Sequence, residues 1–116
     1  MNADAMPGCM RRLVQRAQKA RQHVTASYRI GAYWDRSLQI DVMTEREDGI
    51  TQIAECKWQS RPVSLETVEE LRRKIKLYPN SQKHRLIPQL FSRSGFTAAV
   101  EKEPGLERYV LEDLYK

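Results

Sequence analysis

The sequence predicts an α/β domain whose elements follow the order α-β-β-β-α-β-α-β. Apolar residues recur at helical spacing over residues 9–24, and three segments of alternating polar and apolar residues follow over residues 28–58. A second helical stripe over residues 64–78 precedes two further strands and a short helix. A chain of 116 residues is long enough for one modest core. We therefore expect a single domain over residues 9–116, after a disordered N-terminus over residues 1–8.

The composition fits a soluble globular protein, with 41% hydrophobic and 30% charged residues. No apolar run is long enough to span a membrane, and no signal peptide with an apolar centre is visible. Cys9 and Cys56 are too few for a disulfide framework, which favours a reduced, cytoplasmic location. His23 and His84 are isolated, so they form no zinc-binding pattern.

The positive charge is concentrated in the N-terminal part of the chain. Residues 1–34 contain six basic residues against Asp4 alone, and they carry the whole net charge of +5. The basic residues of this segment are Arg11, Arg12, Arg16, Lys19, Arg21 and Arg29. Such a basic helix face predicts contacts with nucleic-acid phosphates, and a solvated helix face explains the same charges.

The central feature of the chain is a predicted β-hairpin formed by residues 39–43 and 52–58. A polar connection over residues 44–49 ends on Asp48-Gly49, a pair typical of hairpin turns. Side chains alternate between the two faces of a strand, so Glu55 and Lys57 point the same way and Cys56 points to the opposite face. Asp41 lies on the partner strand and can point to the side of Glu55.

The elements around the hairpin follow from local signals. A first strand is expected over residues 28–34, and its aromatic residues, with Trp58, are interpreted as core residues: Tyr28, Tyr33 and Trp34. Ser64 is a suitable N-cap for the second helix, and Val63 and Val68 suit a hydrophobic staple.

The last part of the chain is less regular. A strand over residues 84–92 contains Pro88, which suggests an edge strand or a bulge. A short helix over residues 96–102 and a strand over residues 108–111 follow, and a helical stub over residues 112–116 hints at a longer parent chain.

Two carboxylates and one ammonium on one patch suit phosphodiester hydrolysis. Asp41 and Glu55 would supply hard oxygen ligands to Mg²⁺ or Mn²⁺, and Lys57 would position the attacking water or offset negative charge in the transition state. The alternative is that Glu55 and Lys57 belong to a solvated strand face and Asp41 is one more exposed acid.

The motif residues also carry a resemblance. Asp41 followed by Glu55-Cys56-Lys57 resembles the Asp…Glu-x-Lys motif of the PD-(D/E)xK nuclease superfamily. Five segments in order resemble, more closely, the restriction-endonuclease-like domain at the C-terminus of certain archaeal and bacterial P-loop ATPases. These segments are residues 30–35, 39–42, 54–58, 62–63 and 90–96. The resemblance implies an αβββαβ core with a mixed central sheet flanked by helices.

The sequence departs from an active nuclease of that superfamily in two places. Gln39 stands where the similar domain often has a glutamate, and we expect it to support the metal ligands without binding the metal. Many relatives have a glutamate on the first helix, whereas residues 10–24 contain no acidic residue. Neutral amides bind Mg²⁺ less strongly than carboxylates, so weak or lost turnover fits the sequence as well.

Three functional hypotheses follow. The first is a Mg²⁺-dependent nuclease acting on DNA without sequence specificity, with Asp41, Glu55 and Lys57 as its catalytic residues. The second is a DNA-binding or regulatory module without catalysis that serves a P-loop ATPase, in the same chain or in a partner, because this sequence has no P-loop. The third is an interaction domain that forms homodimers.

Overall fold

The computed structural model describes Arg12 and residues 28–110, with only the backbone of Asp41. The elements in chain order are β1 (Tyr28–Trp34), β2 (Gln39–Arg46), β3 (Ile50–Lys57), α1 (Leu65–Leu77), β4 (Arg85–Ser92), α2 (Ala98–Glu101) and β5 (Glu107–Val110). This order confirms the predicted βββαβαβ succession. The expected helix over residues 9–24, the expected disordered segment over residues 1–8 and the expected stub over residues 112–116 lie outside the described residues.

The strands form one mixed sheet in the order β1-β2-β3-β4-β5. β1, β2 and β3 are antiparallel neighbours, whereas β4 runs parallel to β3 and β5 runs parallel to β4. The helix between β3 and β4 provides the crossover that two parallel neighbours need. The mixed sheet predicted from the sequence is therefore confirmed.

The hairpin between β2 and β3 is tighter than the sequence predicted. β2 continues through Thr44 to Arg46 and β3 begins at Ile50, so half of the expected connection is strand. Gly49 has φ +87°, a left-handed conformation that favours glycine, and this residue allows the chain to reverse.

A β-bulge interrupts β2 at the predicted motif residue Asp41. Gly31 pairs with Met43 and Tyr33 pairs with Ile40, so Ala32 alone faces two residues of β2. As a result, Ile40 and Met43 lie in the same apolar cluster although strict alternation would place them on opposite faces. The period of two that underlies the prediction for Asp41 therefore fails within β2 itself.

Apolar clusters cover both faces of the sheet. The α1-side core contains side chains from the strands, the helices and the loops: Leu38, Ile40, Met43, Ile53, Val63, Val68, Leu71, Leu90, Val100 and Leu106. The opposite core contains Val42, Ala54, Cys56 and Phe91. Val63 and Val68 are both buried in the α1-side core, as the expected staple requires, but the hydroxyl of Ser64 makes no capping hydrogen bond.

The expectation that Pro88 marks an edge strand or a bulge is wrong. β4 lies between β3 and β5, and Pro88 pairs regularly with Ile53. The missing N–H is tolerated because β5 pairs with β4 only from Gln89 onward, so Pro88 precedes the part of β4 that has neighbours on both sides.

The interpretation of the aromatic residues as core is wrong for two of the four. The Trp34 side chain is 74% exposed at the end of β1, and Tyr28 is also exposed. Both lie on β1, which among the described strands has a sheet neighbour on one side only. Tyr33 and Trp58 are half-buried against the α1-side core and the opposite core, respectively. No helix of the described part of the chain is long and apolar enough to cross a membrane.

Candidate functional site

Glu55 and Lys57 lie at the end of β3 and line one open cavity of about 950 Å³. Cys56 between them is buried in the opposite core, so the predicted alternation holds in β3. The strand ends where Trp58 leads into Ser60-Arg61-Pro62, a segment that does not continue the ladder. The cavity opens beyond this strand end, which leaves Glu55 and Lys57 half-buried.

The facing wall of the cavity is α1, which contributes Glu66, Glu70 and Lys74. The Lys74 ammonium nitrogen lies 3.1 Å from Glu55 Oε1, and this ion pair joins the helix to the strand. Both side chains are largely removed from water, with 23% of Lys74 and 16% of Glu55 exposed. The ion-pair partner of Glu55 is therefore Lys74 on the helix, and not its strand neighbour Lys57.

Lys57 makes no ion pair with any side chain in the part of the chain that the structure describes. The pKa of Glu70 on the helix is lowered first by Arg73, then by the charge of Lys74 and least by the charge of Lys57. The largest cause of that lowered pKa is Arg73, whose guanidinium donates two hydrogen bonds to the Glu70 carboxylate at 3.2 and 2.6 Å. The Lys57 ammonium thus remains available at the cavity while Glu70 is held by its own helix.

The backbone brings Asp41 close to Glu55. Val42 pairs with Ala54 in the antiparallel ladder, Asp41 precedes Val42, and Glu55 follows Ala54. The side chain of Asp41 is outside the description, so its expected position beside Glu55 stays a prediction. Gln39 is the first residue of β2 and is exposed at the same end of the sheet.

A divalent cation at this cavity would need carboxylate ligands from both β2 and β3. Among the described side chains, no group of three or more His, Cys, Asp or Glu residues could hold a metal ion. Glu55 supplies one carboxylate at the cavity, and the backbone of Asp41 lies beside that of Glu55 in the ladder. Two carboxylates completed by water match the ligands that Mg²⁺ prefers, so Glu55 would suit the cation together with Asp41, whose contribution stays a prediction.

The loops that follow β3 and β4 meet at the cavity end of the sheet. The Arg93 N–H donates to the Lys57 carbonyl at 3.2 Å, and the Ser94 hydroxyl donates to the Gln59 carbonyl at 2.5 Å. Val63 and Phe96 form an isolated parallel bridge between the same loops. Ligands bind at the carboxyl ends of the parallel strands in open α/β sheets. In this protein the loops at that end of the sheet are joined to each other by hydrogen bonds.

Neither of the two predicted phosphate-binding residues that the structure describes, Arg12 and Arg29, lines this cavity. Arg29 pairs with Glu45 near the other end of β2 from Gln39, and its guanidinium lies 3.6 Å from the Glu45 carboxylate. Arg12 is exposed. The other four predicted residues are outside the described part of the chain: Arg11, Arg16, Lys19 and Arg21. Arg61, which the sequence analysis did not single out, lines the cavity.

The helix residues of the site were also missed at the sequence level. The sequence analysis assigned no role to the charges of α1, although Glu70 and Lys74, four residues apart, both line the cavity. A signal was present in the spacing, because residues at i and i+4 lie on one face of a helix.

The sequence of residues 8–76, more than half of the chain, matches the model of the DUF234 family, described as archaeal and bacterial proteins of unknown function. The chain belongs to this family. The matched part of this DUF234 protein includes β1, β2, β3 and nearly all of α1, and therefore both motif strands. The sequence matches none of the curated proteins.

Two solved structures resemble this DUF234 protein in fold. A crystal structure of a repair endonuclease from Pyrococcus abyssi has a TM-score of 0.61 and 18% sequence identity, and the match covers 87% of this chain and 44% of that chain. The structure of AF1548, a protein of unknown function, has a TM-score of 0.57 and 17% identity, with 88% and 64% covered. The chain thus spans less than two thirds of either structure. The fold is restriction-endonuclease-like, with a mixed sheet and flanking helices.

Proposed function

We propose that this protein is a Mg²⁺- or Mn²⁺-dependent nuclease that hydrolyses phosphodiester bonds of DNA without sequence specificity. The observation that carries the proposal is the placement of Glu55 and Lys57 side by side at an open cavity, beside the backbone of Asp41, in a restriction-endonuclease-like fold. The repair endonuclease with the similar fold supports DNA as the substrate class.

Each residue of the motif has a separate role in this proposal. Asp41 and Glu55 would hold the cation, which when bound polarises the phosphate and lowers the pKa of water. Hydrolysis joins the water oxygen to phosphorus and breaks one P–O bond, and the leaving oxygen takes up a proton. Lys57 positions the water or stabilises the negative charge that develops on the phosphate oxygens. Gln39 supports the ligands from the start of β2.

The decisive variant is Glu55→Gln, which keeps the shape of the side chain and removes its charge. Mg²⁺-dependent cleavage of linear and branched DNA should fall by about a hundredfold or more, while DNA affinity measured in chelator stays close to that of the wild type. Glu66→Gln is the matched control, because Glu66 lines the same cavity from α1 and is exposed. The proposal is wrong if the wild type cleaves neither DNA with either metal, or if Glu55→Gln cleaves as fast as Glu66→Gln.

A second candidate is a module that binds DNA or regulates a P-loop ATPase, in the same chain or in a partner, without catalysis. The Glu55–Lys74 ion pair favours it, because an ion pair between β3 and α1 can serve to fasten the helix to the sheet. In that case Glu55→Gln lowers the melting temperature and changes no cleavage rate. Homodimerisation stays a separate possibility that the sedimentation of the purified protein tests.

A further inference from the structure

Lys74 is the nearest charged group to the Glu55 carboxylate in the described part of the chain. Its ammonium nitrogen is 3.1 Å from Glu55 Oε1, and both side chains line the cavity that also contains Lys57 and Arg61. The two residues are nineteen positions apart in sequence and belong to different elements. Lys74 therefore belongs to the wall of the proposed catalytic site, although it is not part of the motif.

A carboxylate that is mostly removed from water is costly unless an opposite charge accompanies it. In the metal-free protein, Lys74 is that charge, with no more than a quarter of its side chain exposed. A divalent cation needs the same carboxylate as a ligand. The Lys74 ammonium on Glu55 Oε1 and a divalent cation on the same carboxylate repel each other at such short range, so Lys74 competes with the cation for Glu55.

The cavity offers Lys74 a second partner. Its α1 position lies across from Lys57, and Arg61 adds a further positive side chain to the same lining. A phosphate group that enters this cavity meets several cations, and Lys74 can exchange the Glu55 carboxylate for that phosphate. The exchange keeps every charge compensated: the metal replaces Lys74 on Glu55, and the phosphate replaces Glu55 on Lys74.

We infer that Lys74 is a positioning residue that holds Glu55 in the metal-free protein and couples metal binding to DNA binding. The inference rests on the proposed function and adds a regulation to the same site. The Lys74–Glu55 contact makes the affinity of the site for the metal weak without DNA and stronger with DNA. Because coupling between two ligands is reciprocal, the metal should strengthen DNA binding by the same factor.

The test measures Mn²⁺ affinity by calorimetry or by the paramagnetic signal of free Mn²⁺, with Lys74→Met compared with the wild type. Lys76→Met is the matched control, since Lys76 lies on the same helix and is exposed. Without DNA, Lys74→Met should bind Mn²⁺ about tenfold more tightly, because one competing charge is gone. Lys76→Met should bind as the wild type does.

The second measurement repeats the titration with a phosphorothioate duplex that resists cleavage. The duplex should raise the Mn²⁺ affinity of the wild type more than that of Lys74→Met. Equal or weaker Mn²⁺ binding by Lys74→Met without DNA overturns the inference, as does an equal effect of the duplex on both proteins. If Lys74→Met does not fold, as judged by circular dichroism, Lys74→Gln replaces it.

The proposed function has its own readout within the same experiment. Mn²⁺ binding by the wild type that Glu55→Gln removes supports the metal site, whatever Lys74 does. Mn²⁺ binding that emerges only in Lys74→Met supports the inference, because it reveals the competition directly. Absence of Mn²⁺ binding in both the wild type and Lys74→Met overturns the metal site and the inference together.

Discussion

Asp35 fixes the turn between β1 and β2 through its carboxylate. The Tyr33 hydroxyl donates to one carboxylate oxygen at 2.6 Å and the Ser37 N–H donates to the other at 2.7 Å. The hydrogen bond from Tyr33 is the main reason that the pKa of Asp35 is lowered, and the same contact raises the pKa of Tyr33. The Asp35 carboxylate thus stabilises the turn that follows the exposed Trp34.

The lowered pKa of Asp35 predicts a loss of stability in acid. A group with a depressed folded-state pKa contributes stability above its unfolded pKa, which for Asp is about 3.9, and this contribution disappears as the pH falls through the folded-state value. The melting temperature of the wild type should exceed that of Asp35→Asn near neutral pH, and the difference should shrink as the pH falls below the ordinary Asp value of about 3.9 and through the lower folded-state pKa. An NMR titration midpoint for Asp35 at or above the ordinary Asp value would contradict this.

Single residues of the site were predictable where only strand alternation was needed. Glu55 and Lys57 share a cavity because β3 is regular, and Cys56 faces the other way for the same reason. Lys74 was not predictable, because its contact with Glu55 depends on the angle and depth at which α1 crosses the sheet. Trp34 was misassigned because an aromatic residue in a strand carries no signal that its strand is at an edge.

At the scale of elements, α1 is stabilised by one buried stripe. Val68 and Leu71 are buried in the α1-side core, and Ile75 and Tyr78 pack against it. Tyr78 also meets Tyr33 edge to face, with ring centroids 5.2 Å apart. The helix is therefore attached to β1 as well as to the α1-side core, which holds Lys74 in register with Glu55.

Leu71→Ala should destabilise the protein strongly because the side chain is 0% exposed. Removing a buried leucine side chain typically costs about 2–5 kcal/mol in the free energy of unfolding. Leu77→Ala, at the end of the same helix and 43% exposed, should cost no more than about 1 kcal/mol. Urea denaturation of both variants measures the difference. Similar costs at the two positions would show that α1 is not attached through this stripe.

Most helices and strands were predicted correctly from the sequence, because they are long enough for their pattern of apolar residues to be recognised. α1 begins at Leu65 and ends at Leu77, close to the expected bounds. β5 and α2 are only four residues long each, so their bounds shifted by one or two residues relative to the prediction. The regular position of Pro88 was not predictable, since it depends on where β5 begins to pair with β4.

At the scale of the whole molecule, the strand order concentrates the candidate chemistry at one end of the sheet. The carboxyl ends of parallel β3, β4 and β5 lie there, together with the start of antiparallel β2. Residues far apart in sequence, such as Gln39, Glu55 and Thr97, are gathered at that end by topology. The resemblance noted in the sequence implied this fold, whereas composition and periodicity alone indicated only the succession of elements.

The uneven charge distribution predicts how DNA binding depends on salt. All of the excess positive charge lies in residues 1–34, so the proposed DNA contacts should include that segment. Replacing Arg12, Arg16 and Lys19 by Ala should flatten the dependence of log K on log salt concentration, by about 0.9 for each phosphate that the variant no longer neutralises.

Removal of the exposed lysines Lys76, Lys83 and Lys102 is the control, because it removes the same charge from another part of the chain. Fluorescence anisotropy with a duplex at several salt concentrations measures both slopes. An unchanged slope in the first triple variant would place the DNA-binding surface elsewhere.

The bulge in β2 restricts the number of residues between Ile40 and Met43 as well as their types. In a regular strand the three-residue separation would place Ile40 and Met43 on opposite faces, so the extra residue of the bulge is what allows both to reach the α1-side core. A deletion would also shift Asp41 relative to Glu55, whereas a substitution leaves the spacing unchanged. Proteins of the DUF234 family should therefore differ here by replacement of residues, while gaps in their alignments fall in turns such as Glu47–Gly49.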